Sequence, residues 1–170
     1  MLALLVAATL IRTVPLEGTT YHVQGIAVDG ARLWVTSVDT SARKAWLFEY
    51  DIDTGKRRRA VEMTDGARFH PGGLDEDIDS LWLPVAEYRA ASSAIIEQRS
   101  KETLEVISRF EVGDHVGAVA VCGDQLIGAN WDARTLYTWS RDGKLLAKRA
   151  NPHETRYQDL KCDAGALAGS

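Results

Sequence analysis

The stretch His22-Val-Gln-Gly-Ile-Ala-Val-Asp-Gly-Ala-Arg-Leu-Trp-Val-Thr-Ser-Val-Asp39 decides the fold, because the chain repeats its pattern twice more. The second copy runs from His70 to Glu87 and the third from His115 to Asp132. In each, a histidine opens an apolar run, a turn follows, and a strand starting at Leu33, Leu81 or Leu126 ends on an acid. The histidines, the leucines and the acids Asp39, Glu87 and Asp132 all advance by 48 and then 45 residues, so no gap falls inside the shared portion. A period of about 40 to 50 residues built from short strands marks a radial all-β repeat, a propeller blade.

The remainder of each repeat supplies two more strands. In the first, strands are predicted over 23–28, 33–38, 45–50 and 58–63, with turns at Asp29-Gly30 and Asp53-Thr54-Gly55. Such turns are hairpin chemistry, since glycine takes positive φ without a steric penalty. The second repeat gives 72–75, 81–86, 94–98 and 104–110; the third gives 116–121, 125–129, 135–139 and 145–149. Inner strands such as 117–121 are apolar on both faces, which suits a blade packed between two others. Trp34 and Trp82 share one register with Ile127 and are read as blade core.

Residues 10–16 read as a lone outermost strand that would complete the last blade. Residues 157–162 begin a fourth innermost strand, with its turn at Asp163-Ala164-Gly165. The expectation is all-β: a β-propeller of four-stranded antiparallel blades, three blades plus part of a fourth, forming one domain over 10–170. A chain ending inside a hairpin is read as the N-terminal half of a six-bladed ring of about 270 residues.

The net charge of −4 supplies no global field for nucleic acid or anionic lipid. The basic run Lys56-Arg57-Arg58-Arg59 falls on an outermost strand, where charge blocks pairing with other chains. Residues 1–9 are an uncharged apolar run, too short to span a membrane, and are read as the remnant of a secretory signal. Localisation is therefore expected to be secreted or periplasmic. Cys122 and Cys162 fall near the ends of inner strands in neighbouring repeats. An exported chain would bridge them, but two buried free thiols are the expectation.

Function rests on where the repeated polar residues meet. The innermost strand starts, and the second strand ends, at one rim of a blade, so His22 with Asp39, His70 with Glu87 and His115 with Asp132 are expected as neighbours. The following loops add Arg43, Lys44, Arg89 and Arg134, while Tyr88 and Trp131 offer faces for a ring or sugar. One reading makes this a ligand site at the channel mouth. A divalent cation on His22, His70 and His115 is its metal-dependent form. The other reading is architectural, with each histidine tying its blade to the next. Nucleophile elbows, phosphate loops and dinucleotide fingerprints are absent from the sequence.

Four segments carry a family resemblance: His22-Val-Gln-Gly-Ile-Ala-Val, Leu33-Trp-Val-Thr-Ser-Val-Asp39, Phe69-His-Pro-Gly-Gly-Leu-Asp75 and Arg156-Tyr-Gln-Asp-Leu-Lys-Cys162. The chain resembles an uncharacterised bacterial and fungal family of six-bladed propellers, often exported and without an assigned activity. More distantly it is similar to the gluconolactonase and TolB-like propellers. The lactonases hold an axial cation with Glu, Asn and Asp, which do not map onto the inner positions here. The leading expectation is binding of a small polar ligand, a carbohydrate or organic acid, by His22, His70, His115, Asp39, Glu87, Asp132, Arg89, Arg134 and Trp131. A metal-dependent hydrolase or lactonase and a non-catalytic protein-interaction scaffold are the alternatives.

Overall fold

Asp29 pairs with Arg32 around Gly30, whose φ of 56° closes the first hairpin. That turn joins β1 (His22–Asp29) to β2 (Arg32–Asp39), and β3 (Lys44–Asp51) and β4 (Arg57–Glu62) complete an antiparallel sheet in chain order. This is the first blade of the computed structural model, which describes residues 9–170. The apolar run over 1–9, read as a signal remnant, lies outside the described residues except for Thr9.

The second blade comprises β5 (Arg68–Pro71), β6 (Asp75–Glu76), β7 (Ser80–Glu87), β8 (Ala94–Ser100) and β9 (Val106–Val112). The third comprises β10 (Val116–Cys122), β11 (Gln125–Asn130), β12 (Thr135–Ser140) and β13 (Leu145–Ala150). A two-stranded sheet, β14 (Leu160–Asp163) with β15 (Ala166–Gly169), begins the fourth.

Apolar faces meet between blades, as the two-sided hydrophobicity of the strands requires. Trp34 and Leu47 pack against Leu81, Leu83 and Val85 from the second blade. Trp82 and Ile96 pack in turn against Val116, Leu126 and Trp139 from the third. The third interface is built from smaller groups, Ala118, Ala120 and Ala129 against Leu160.

The second blade departs from the sequence expectation. Its innermost strand is broken at Gly72 and Gly73 rather than continuous over 72–75. Gly73 N donates to Gly117 O at 2.9 Å and Gly73 O accepts from Val119 N at 3.1 Å, so this backbone pairs with the neighbouring blade instead of its own. A Cβ at Gly72 would lie 2.1 Å from Gly117 O, which is why glycine stands there. Further contacts draw the inner strands together. Ile26 N of β1 donates to Asp159 Oδ2 at 3.2 Å, and Lys161 Nζ donates to Leu74 O.

Three other expectations are corrected or sharpened. Cys122 and Cys162 form a disulfide rather than two free thiols, their Cα atoms 5.3 Å apart across neighbouring inner strands. Residues 10–16 pair in no strand; Glu17 N donates to Gly55 O, and Leu16 packs on Val35, Phe48 and Tyr50 of the first blade. The basic run is engaged locally on the outer strand β4: Arg57 lies over Phe48, Arg58 pairs with Asp51 at 2.5 Å, and Arg59 pairs with Glu49. Among the described residues no helix is long and apolar enough to cross a membrane.

Candidate functional site

The three histidines meet at one rim. His22 opens β1, His70 lies within β5 and His115 directly precedes β10, so each blade delivers its imidazole at the same height. All three line a cavity of about 260 Å³. The ring centroids of His70 and His115 are 5.3 Å apart.

Aromatic groups from two second-to-third-strand loops pack onto these imidazoles. Tyr88 stacks on His70 at 4.4 Å with planes 20° apart, and Trp131 meets His115 edge-on at 4.6 Å. Tyr88 and Trp131 are 6.2 Å from each other, and Phe69 meets the edge of Tyr88 at 6.0 Å. The result is a continuous aromatic wall rather than isolated platforms. Beside Trp131, Asp132 and Ala133 adopt positive φ of 63° and 52°. Two successive non-glycine residues in this region cost on the order of 1–3 kcal/mol each and hold the loop in a tight turn.

The histidines differ in environment. His115 is buried, and its Nδ1 lies 2.9 Å from Glu87 O and 3.1 Å from Arg89 O, both in the preceding blade. His70 is 8% exposed, and its buried Nδ1 has no hydrogen-bond partner among the described residues. Burial, reinforced by the nearby His115 and His22, pushes its pKa down to about 4. Burial also lowers the pKa of His115, against the opposing pull of the two carbonyls. Both rings are therefore neutral near pH 7. His22 is exposed, and its Nδ1 is 3.1 Å from Gln24 Nε2.

Asp39 and Glu87 stand next to the histidines' strand partners, His22 lying opposite Val38 and His70 opposite Ala86, but the acid and arginine side chains bond elsewhere. Asp39 Oδ1 accepts from Ala42 N and closes its own loop. Glu87 takes Arg89 Nε at 2.8 Å and Ser93 Oγ at 3.3 Å, and that arginine holds its carboxyl below the usual range. Asp132 reaches the cavity, but its partner is Arg156 at 3.7 Å. Arg134 donates to Glu154 O, away from the imidazoles. Among the described residues no histidine–carboxylate side-chain bond forms in any of the three pairs. Strand direction puts both groups at one rim, but the acids sit one strand further out and find loop partners first.

The start of the fourth blade adds Arg156, Tyr157 and Gln158 to the cavity wall. Gln24 and Gln158 were not singled out from the sequence. The available signal was the shared two-residue offset from the repeat position, Gln24 after His22 and Gln158 after Arg156. Among the described residues, no group of three His, Cys, Asp or Glu side chains is arranged to hold a metal ion. A second cavity, of about 390 Å³, is lined by Leu136, Leu160 and Leu167.

Four-stranded antiparallel sheets packed face to face, with loops gathered at one rim, define a β-propeller. The chain belongs to a family of unknown function (DUF6454), whose profile matches residues 37–161. Among solved structures it is similar to the glutaminyl cyclase of Myxococcus xanthus, with TM-score 0.72 and 14% identity over 95% of this chain and 66% of that one. It is also similar to the Pan2 WD40 domain of Neurospora crassa, with TM-score 0.58 and 12% identity over 83% of this chain and 41% of that one. The computationally designed Ika8 protein matches with TM-score 0.62 and 16% identity over 92% of this chain, which spans 45% of its length. At these identities the likeness is one of fold. No curated protein matches the sequence.

Proposed function

We propose that this protein binds a small polar ligand, a carbohydrate or an organic acid, in the cavity at the histidine-bearing rim. The observation that carries the reading is the meeting of three imidazoles from three blades with the aromatic wall of Tyr88 and Trp131 around one open space. A cavity walled by aromatic rings, with a few convergent polar groups and perturbed imidazoles, is the usual form of a small-molecule site. A ring closed by six blades and a secreted or periplasmic location belong to the same proposal. The disulfide supports the location, because such bonds persist in oxidising compartments.

The test is a binding screen of neutral sugars, carboxylates and divalent cations, with metal analysis of the purified protein. Weakening of a detected ligand by tenfold or more in Trp131→Ala, with unchanged thermal unfolding, supports the site. A ligand that still binds fully to His70→Gln, Tyr88→Ala and Trp131→Ala places binding elsewhere and overturns it. Stoichiometric zinc or manganese lost with His70→Gln favours the metal-dependent hydrolase instead. Failure of all three ligand classes leaves the interaction scaffold.

A further inference from the structure

We propose that the cavity selects a neutral, hydroxyl-bearing ring, a pyranose, by accepting a hydroxyl proton at Nε2 of His115 while Trp131 and Tyr88 contact the sugar face. This deepens the ligand-binding reading above and rests on it.

The tautomer of His115 follows from its partners. Nδ1 lies 2.9 and 3.1 Å from Glu87 O and Arg89 O, carbonyl oxygens that can only accept, and 3.4 Å from Ser92 Oγ, a hydroxyl that can accept as well, so the two nearer partners place the proton on Nδ1. A neutral imidazole has one N–H, so Nε2 is a bare acceptor. It has no hydrogen-bond partner among the described residues, and it is not among the buried side-chain atoms sealed off without one. The open space that this residue lines is the histidine cavity. The second blade therefore fixes the protonation pattern that the third presents to the cavity, as an orienting partner does for a working histidine.

The charge of the cavity argues against a carboxylate ligand. Burial keeps the rings of His70 and His115 uncharged at neutral pH. Arg89 is held by Glu87, and Arg134 by Glu154 O. Arg156, the guanidinium that does line the cavity, stands opposite the carboxylate of Asp132 at 3.7 Å. Positive charge is thus balanced within the wall, while His115 Nε2 and Asp132 both require donors. Gln24 and Gln158 can give and accept. An uncharged ligand rich in hydroxyl groups with a flat apolar face meets these needs, and aromatic rings accept such a face.

The experiment uses the full chain labelled with ¹⁵N. At pH 7.5, long-range proton–nitrogen spectra should show His115 protonated at Nδ1 and bare at Nε2. The opposite tautomer, or an imidazolium, overturns the proposal whatever the protein binds. Methyl glucoside, galactoside and mannoside are then titrated beside glucuronate, galacturonate and citrate. A neutral glycoside that shifts the Nε2 resonance, and binds at least tenfold more tightly than its uronate, supports the proposal. His115→Asn retains an amide donor for the two carbonyls but lacks the Nε2 acceptor. Loss of glycoside binding in this variant with unaltered unfolding separates recognition from the blade-to-blade tie. Binding of carboxylates alone overturns the pyranose proposal and leaves the ligand cavity standing, whereas binding of neither class overturns both.

Discussion

At the scale of single residues, position outweighs chemical type. Gly72 faces the backbone of the next blade, and a methyl there would strike Gly117 O and its carbonyl carbon at 2.1 and 2.6 Å. Gly72→Ala must therefore push the second and third blades apart, and a loss of about 1–3 kcal/mol is expected from urea unfolding. His70 shows the electrostatic counterpart. Its folded pKa of about 4 lies below the ordinary 6.5, so the unfolded chain binds its proton more readily. Stability from this residue is complete above pH about 6.5 and is lost as pH falls toward 4, with an upper magnitude of order 3 kcal/mol. Urea midpoints at pH 7.5, 6 and 4.5 should fall more steeply for the wild-type protein than for His70→Gln. Equal slopes would show that the ring is not held neutral. The histidine repeat is plain in the sequence, but this difference between His70 and His115 is not. It depends on which blade loop covers each ring.

At the scale of elements, every strand of the first and third blades lies within a residue or two of its predicted position, because alternation and turn chemistry are local. The broken inner strand of the second blade was illegible for the opposite reason: Gly72 N still donates to Pro84 O of its own blade, but the Gly73 backbone bonds to β10, 44 or more residues away in sequence. The cysteines were misassigned similarly. Burial favours a thiol in general, but neighbouring inner strands bring these two Cα atoms to 5.3 Å, within disulfide reach. Closing a loop of 40 residues should stabilise the fold by about 4 kcal/mol in the chain-entropy model. The paired Cys122→Ala, Cys162→Ala variant should unfold at correspondingly lower guanidinium concentration, and added reductant should leave its midpoint unchanged while lowering that of the wild-type protein.

At the scale of the molecule, stability should be graded around the arc. The second blade is covered on both faces by bulky side chains, whereas β14 and β15 rest on an interface built mainly from alanines. Amide exchange should therefore be slowest in β7, β8 and β10 and fastest in β14 and β15. Equal protection throughout would mean that the arc opens as one unit. The cavity would feel loosening at its fourth wall first, since Arg156, Tyr157 and Gln158 lead into β14.

The sequence by itself determined the blade, its period, the register of its strands and the shared rim of the three histidines. These follow from side-chain alternation, turn residues and strand direction, all of which act over a few residues. Only the tertiary structure decided which groups face one another there. It left the acids with their loops, set Tyr88 and Trp131 against the imidazoles, and fixed the His115 proton with carbonyls of another blade. It also joined the two cysteines. Those outcomes are settled by competition between loop partners close in sequence and partners as far as 28 or 40 residues away, and a side chain takes whichever partner packing brings within reach.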